Sequence, residues 1–107
     1  MSTKLTLAVD FDGVLHDHKH PVTGRRMGIP FPDARPAMIK LTRQGHMLII
    51  HTVMATTPGG TKAVEDWLRY YKIPYASVTA IKPNADYYVD DRAIRHTDWK
   101  TTLEAIT

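Results

Sequence analysis

The sequence predicts a three-layer α/β sandwich built on a small parallel sheet of about four to five strands. Three observations support this fold class. Short apolar segments alternate with amphipathic segments along the 107 residues, Pro- and Gly-containing turns separate them, and polar residues follow the apolar segments directly. Strands that alternate with helices imply crossover connections, which join parallel strands and are right-handed. A chain of this length fits a single domain, residues 1–107.

The first half of the chain predicts a strand, an excursion and a helix. Residues 5–11 contain no charge before Asp10, which is typical of a buried central strand. Residues 15–30 are polar and rich in turn formers, and they predict a short flap, for which a hairpin is one form. Asp33 is expected to cap a helix with Pro36 in its first turn.

The second half continues the alternation. The predicted elements are a strand at 47–50, a loop at 58–60, a helix capped by Thr61, strands within 75–81 and at about 86–90, and a helix capped by Asp98. Trp67 lies in the second predicted helix, and Trp99 lies on the apolar face of the last one with Leu103 and Ile106. We therefore expect both tryptophans in the core rather than on a base-stacking surface.

Composition narrows the class of protein. The chain has no cysteine, which excludes disulfides and thiolate metal sites. No apolar segment approaches the roughly 20 residues needed to cross a bilayer, and residues 1–10 do not resemble a signal peptide, so we expect a cytoplasmic protein without a membrane partner. Net charge is +3, and the basic residues concentrate between His16 and His46. That region is either a solvated surface or a face that attracts a phosphorylated or polynucleotide partner.

Polar side chains are predicted to gather at one edge of the sheet, because ligands bind beyond the carboxyl ends of parallel strands. The residues at the predicted strand ends are Asp10, Asp12, Thr52, Lys82, Asp90 and Asp91. Either acidic pair alone is also typical of a turn, and Lys82 alone is typical of a surface lysine. Together, several carboxylates at one edge repel each other unless a cation intervenes, and oxygen ligands favour Mg²⁺.

Four segments resemble the motifs of the haloacid dehalogenase superfamily of phosphohydrolases. Residues 9–14 (VDFDGV) are similar to the first motif, Thr52 to the second, Lys82 with Pro83 to the third, and residues 88–92 (YVDDR) to the fourth. The order and spacing agree across residues 5–95. The resemblance implies a small Rossmann-like domain, and residues 15–30 are too few for a separate cap domain.

The resemblance also implies catalytic roles. Asp10 would attack phosphorus and become an aspartyl-phosphate. Asp12 would protonate the leaving oxygen and then take a proton from the water that cleaves the intermediate. Thr52 and Lys82 would bind the phosphoryl group, with Lys82 neutralising its charge.

The metal ligands follow from the same resemblance. Mg²⁺ would be held by the carboxylate of Asp10, the backbone carbonyl of Asp12 and the carboxylate of Asp91. Asp90 would support these ligands or bind the metal through water. The predicted activity is the Mg²⁺-dependent hydrolysis of a phosphomonoester, namely a phosphorylated sugar, a nucleotide or a polynucleotide end.

The chain departs from the family at Met54, where many relatives have an arginine. Arg25 or Arg26 could supply that positive charge to the substrate. Arg92 is expected to pair with an acid such as Asp86 in a structural role. Three histidines of the flap, at alternate positions, could bind a transition metal, but they lack a fourth ligand and more simply predict a polar flap; they are His16, His18 and His20.

Two other classes of protein use part of this residue set. A receiver-like phosphoacceptor domain also combines acids, a hydroxyl and a lysine around Mg²⁺. Along the sequence of a receiver domain, an acidic pair is followed by a lone acceptor aspartate, then the hydroxyl and then the lysine. Here no lone acid ends the second strand, and two acids follow Lys82. A non-catalytic phosphate- or nucleic-acid-binding module is the second alternative, and it has no need for the general acid at Asp12.

Overall fold

The computed structural model describes residues 3–24 and 27–107 and contains a parallel sheet, a hairpin and helices. The strands are β1 (Thr6–Asp10), β2 (His16–Pro21), β3 (Gly28–Pro30), β4 (Met47–His51), β5 (Ser77–Thr79) and β6 (Tyr87–Val89). The helices are α1 (Ala34–Arg43), α2 (Pro58–Tyr70) and α3 (Trp99–Ile106), with a short 3₁₀ turn at Val53–Thr56. The sheet has four parallel strands in the order β5-β4-β1-β6, and β2 pairs with β3 in the hairpin.

The core lies between the sheet and the first two helices. Val9 of β1 lies opposite Ile50 of β4, so both side chains point to the same face of the sheet. Met38 of α1 and Leu68 of α2 belong to the same buried cluster as these two residues. The predicted α/β fold class, with a small Rossmann-like parallel sheet flanked by helices, is therefore confirmed.

The opposite face of the sheet carries Ala8, which is 2% exposed. Tyr88 of β6 pairs in register with Ala8 and therefore points to this face. Its hydroxyl donates to the carbonyl oxygen of Pro83 at 2.7 Å. The connection between β5 and β6 contains no helix, and Pro83 of this connection is held to Tyr88 on this face.

Helix α3 presents its apolar stripe to solvent. Trp99 is 68% exposed, so the expectation that it lies in the core is wrong, whereas Trp67 is 6% exposed and confirms it. An apolar stripe predicts burial only when another element lies against it, and α1 and α2 already cover the core face. Within the described ranges, no helix is long and apolar enough to span a membrane.

The two aspartates predicted to cap helices differ in their hydrogen bonds. Asp98 caps α3, accepting a hydrogen bond from Thr101 N–H at 2.7 Å. Asp33 is the N-cap residue of α1, as predicted, but its side chain makes no cap bond. Its backbone carbonyl accepts from Ala37 N–H at 3.2 Å.

The predicted loop at 58–60 and the predicted cap at Thr61 are also wrong. Helix α2 begins at Pro58 and is capped by Thr57, whose hydroxyl accepts from Gly60 N–H at 3.0 Å. Proline suits the first turn because the first amides of a helix lack partners inside it. Gly60 is needed there because a Cβ would collide with the carbonyl oxygen of Met54. Sequence reasoning took the two glycines for a loop, although one of them serves this close approach.

The flap is an antiparallel hairpin, as its turn residues predicted. His16 pairs with Pro30, and Pro21 pairs with Gly28. The amide of Phe31 donates to the carbonyl of Leu15 at 3.0 Å and closes the base of the hairpin. The hairpin follows β1 directly, so its first residues lie beside the carboxyl end of the sheet.

Candidate active site

The strand ends meet around one cleft of about 350 Å³. Asp10 ends β1 and lies opposite His51 at the end of β4, while Asp90 follows β6 on the other side. The cleft is lined by Asp10, Asp12, His18, His51, Thr52, Val53, Asp90, Asp91 and Arg92. The parallel sheet therefore brings together residues that are up to 82 positions apart in the sequence (Asp10 to Arg92).

Three carboxylates form the most negative part of the cleft. One oxygen from each of Asp10, Asp90 and Asp91 lies within 4.8 Å of the other two. Burial raises the pKa of Asp10, and the negative charges of Asp90, Asp91 and Asp12 raise it further, against a hydrogen bond from Phe11 N–H that lowers it. The uncompensated charge around Asp10 is what a bound cation would relieve.

The two acids after β6 have different surroundings. Asp90 Oδ1 accepts hydrogen bonds from the backbone N–H groups of Arg92 at 2.7 Å and Ala93 at 3.2 Å, which uses that oxygen to hold the turn. The Asp91 carboxylate lies so close to Gly13 that a Cβ at this position would collide with it. Gly13 also has a φ of +84°, which disfavours other residues. The glycine of the first motif thus admits the Asp91 carboxylate to the cleft.

The donor set fits a hard divalent cation. The converging atoms are carboxylate oxygens only, which suits Mg²⁺ better than a transition metal. The carboxylate of Asp12 is not part of this cluster, which leaves its backbone carbonyl as its possible ligand. Two of the flap histidines pair with acids instead of converging on one another: His16 with Asp12 at 2.7 Å and His20 with Asp17 at 3.0 Å.

Thr52 is buried at the floor of the cleft, 5% exposed. Its backbone N–H donates to the carbonyl of Thr79, which fixes it to β5. Its hydroxyl oxygen accepts from Met54 N–H at 3.2 Å, so the hydroxyl proton remains free to donate to a ligand oxygen. The side chain of Met54 packs against the core, and it places no charge in the cleft.

Two cations approach the acids from different directions. Arg92 lines the cleft itself. Lys82 lines an adjoining hollow of about 660 Å³ that also includes Asp10 and His51. Its ammonium lies over the ring of Tyr88, 4.8 Å from the ring centre. Lys82 therefore shares this hollow with Asp10 but does not line the cleft itself.

The structural role expected for Arg92 is wrong. Asp86 accepts a hydrogen bond from Thr6 N–H at 2.8 Å, and within the part of the chain described Arg92 makes no ion pair with it. Arg92 is therefore a cation of the cleft that sequence reasoning assigned elsewhere. Arg25 and Arg26 lie outside the described residues, so their proposed contact with substrate stays a prediction.

Two flap histidines are also part of the site, which sequence reasoning missed. His18 lines the cleft, and its buried Nδ1 has no hydrogen-bond partner among the described residues. His16 contacts Asp12 directly. The signal was their spacing, because alternate residues of a strand point to the same face. That spacing could not show that the face turns towards Asp12.

One solved structure resembles this chain over nearly its whole length. It is that of a conserved protein encoded by a locus of Bacteroides thetaiotaomicron, with a TM-score of 0.70 and 26% sequence identity. The match covers 97% of this chain and 90% of that one. No protein-family model and no curated protein matches the sequence. The similarity supports the α/β fold described above.

Proposed function

We propose that this protein is a Mg²⁺-dependent phosphomonoester hydrolase of the haloacid dehalogenase type, with Asp10 as its nucleophile. The observation that carries the proposal is the convergence of Asp10 with Asp90 and Asp91 to within 4.8 Å, in a cleft that also contains Asp12 and Thr52. A structural role would not require two further carboxylates beside the half-buried Asp10. A phosphoryl-transfer site does need them, because they hold the cation that lets a carboxylate approach a phosphate.

The acids of the cleft and Thr52 suit the steps of this reaction. A carboxylate oxygen of Asp10 attacks phosphorus in line, and the bond from phosphorus to the leaving oxygen breaks. Asp12 gives its proton to that oxygen. It then takes a proton from the water that attacks phosphorus, and the bond between phosphorus and the Asp10 oxygen breaks to release phosphate. The Thr52 hydroxyl donates a hydrogen bond to a phosphoryl oxygen. Asp10, Asp91 and the backbone carbonyl of Asp12 would hold Mg²⁺, with Asp90 as a supporting residue, and the bound cation would neutralise charge on the phosphoryl group.

The cations and the shape of the cleft bear on the substrate. Arg92 lines the cleft and Lys82 the adjoining hollow that also includes Asp10, so both cations are candidates to bind the phosphoryl group. The only insertion over the cleft within the described ranges is the β2–β3 hairpin, so the site lacks a cap domain there. We infer a phosphorylated sugar, nucleotide or polynucleotide end as the substrate, hydrolysed in the cytoplasm.

The test is hydrolysis of 4-nitrophenyl phosphate by the purified chain with Mg²⁺ and with EDTA. We expect turnover that requires Mg²⁺, and its loss in Asp10→Asn by at least about 10³-fold, because covalent catalysis has no substitute nucleophile at that position. Asp33→Asn is the matched control, since Asp33 makes no side-chain cap bond and is exposed. Full activity in EDTA, or turnover that survives Asp10→Asn, would contradict the proposal.

A trapped intermediate separates the hydrolase from the two alternative classes. Asp12→Asn should accumulate phosphate on Asp10, since the base for the second step is missing, and mass spectrometry of the acid-quenched protein should show one added phosphoryl group. A receiver-like domain would be phosphorylated by a small phosphodonor but would not turn over a phosphomonoester. A binding module would show neither phosphorylation nor turnover.

A further inference from the structure

The flap begins with a histidine that is almost completely buried. His16 is 5% exposed and lies at the start of β2. Its ring stacks on Phe11, with centroids 5.0 Å apart and an interplanar angle of 23°. Trp67 meets it edge-on at 5.4 Å. Aromatic packing on two sides fixes the plane of the imidazole ring.

The hydrogen bonds of His16 determine its tautomer. The backbone N–H of Gly28 donates to His16 Nε2 at 2.8 Å. A backbone amide has only a proton to offer, so Nε2 is the acceptor and carries no proton. The proton of the neutral ring is therefore on Nδ1, which lies 2.7 Å from Asp12 Oδ1 and donates to it.

The hairpin strand that supports His16 is itself tied to the core. The indole N–H of Trp67 donates to the carbonyl oxygen of Gly28 at 2.9 Å. A Cβ at position 28 would collide with the carbonyl of Asp17 and lie 2.8 Å from that of His20, so only glycine fits. A continuous chain of hydrogen bonds thus runs from α2 through Gly28 and His16 to Asp12.

We propose that His16 is a positioning residue for Asp12, and this inference rests on the proposed function of Asp12 as the general acid and base. The Nδ1–H of His16 occupies Oδ1 of Asp12 and leaves Oδ2 to exchange the proton with the leaving oxygen and then with water. His16 does not itself transfer a proton, because Gly28 occupies its other nitrogen. The rigid ring holds the carboxyl group in one rotamer, which favours proton transfer.

The test uses variants that keep one of the two hydrogen bonds of His16. His16→Asn places an amide N–H near the position of Nδ1 and can still donate to Asp12. His16→Gln places its amide near the position of Nε2 and can accept from Gly28 but not reach Asp12 in the same way. His20→Asn is the matched control, because His20 makes a similar pair with Asp17 on the same hairpin but is exposed.

The readout is kcat/KM for two substrates, since this ratio covers the steps up to the aspartyl-phosphate. The alcohol that leaves glycerol phosphate needs a proton on its oxygen, whereas 4-nitrophenyl phosphate releases 4-nitrophenolate, which is stable without a proton. We expect His16→Gln to lower kcat/KM about 100-fold for glycerol phosphate and much less for the nitrophenyl ester, as general-acid catalysis contributes about 10²–10⁴-fold. His16→Asn should recover most of the loss, and His20→Asn should match the wild type.

Two outcomes would overturn the inference without affecting the proposed function. Equal losses on the two substrates in His16→Gln, with an intact fold by circular dichroism, would indicate a structural role only. A ¹⁵N-edited NMR spectrum that shows the His16 proton on Nε2 would also refute it, independently of activity. Turnover that survives Asp10→Asn would instead overturn the proposed function, and the inference with it.

Discussion

The charge cluster predicts that the Asp10 carboxylate destabilises the metal-free protein. Asp10→Asn removes one charge from the group formed with Asp90 and Asp91, whose oxygens lie within 4.8 Å. Asparagine keeps the Oδ1 acceptor that receives the Phe11 N–H, a bond of 2.8 Å in the wild type. The substitution therefore changes the charge and leaves this local hydrogen bond in place.

The magnitude follows from the distances and from solvent exposure. Two like charges 4.8 Å apart repel by about 1 kcal/mol at the dielectric constant of water, and by about 3 kcal/mol at an effective value of 20. Asp90 and Asp91 are exposed, so the screened value applies to both pairs. We expect Asp10→Asn to raise the free energy of unfolding by about 1–2 kcal/mol, which corresponds to a Tm increase of about 5–10 °C for a domain of this size.

The assay is thermal and urea unfolding in EDTA, repeated in Mg²⁺. If the proposed metal site is right, Mg²⁺ should reverse the order of stabilities. Wild type would gain about 2.7 kcal/mol at a concentration 100 times its Kd, whereas Asp10→Asn lacks one of the proposed ligands. Asp33→Asn should stay within about 0.5 kcal/mol of wild type in both buffers. A destabilised Asp10→Asn protein in EDTA, or an equal Mg²⁺ effect on both proteins, would refute the reasoning.

The difference in unfolding free energy between Asp10→Asn and wild type should depend on pH with a definite sign. The pKa of Asp10 is raised in the folded protein, by burial and then by its acidic neighbours. The folded state therefore binds the proton more tightly than the unfolded state, and stability is gained as the pH falls through the raised pKa. We expect the advantage of Asp10→Asn in EDTA to shrink over that range, because wild-type Asp10 becomes neutral as well.

Two further predictions concern the metal ligands and the core. Asp91→Asn should weaken Mg²⁺ binding more than about 100-fold, and Asp90→Asn by about 10–100-fold. The smaller effect is expected at Asp90 because one of its oxygens accepts the two backbone hydrogen bonds of the turn. Isothermal titration calorimetry measures both affinities, and the reverse order would assign the direct ligand to Asp90. Leu68→Ala should lower the free energy of unfolding by about 2–5 kcal/mol, since Leu68 is 0% exposed in the core; urea unfolding would contradict this with a loss below about 1 kcal/mol.

The sheet could be predicted because its signals are local. The uncharged segment around Val9 and the apolar segment 47–50 have no alternative to burial, and both became central strands. Helix starts were harder, because a cap depends on the geometry of one turn. Gly60 was interpreted as part of a loop, yet it lies in the first turn of α2 against the Met54 carbonyl.

Most of the candidate site could be predicted for a topological reason. Parallel strands place their carboxyl ends at one edge, so Asp10, Thr52 and Asp91 had to lie near one another once the strands were identified. The role of Arg92 could not be predicted, because it depends on the turn that Asp90 holds through the Arg92 and Ala93 amides. No pattern in the sequence distinguishes an arginine that faces the cleft from one that pairs with Asp86.

The amino-acid sequence by itself determined where the strands lie along the chain and which acids follow them, because hydrophobic periodicity and turn chemistry act over a few residues. Only the tertiary structure decided which face of each element is covered and which side chains meet across it. The apolar stripe of α3 remains in solvent, and His16, which the sequence placed on a polar flap, is buried between Phe11 and Trp67. Contacts of that kind join distant segments, and their geometry is set by packing rather than by local sequence.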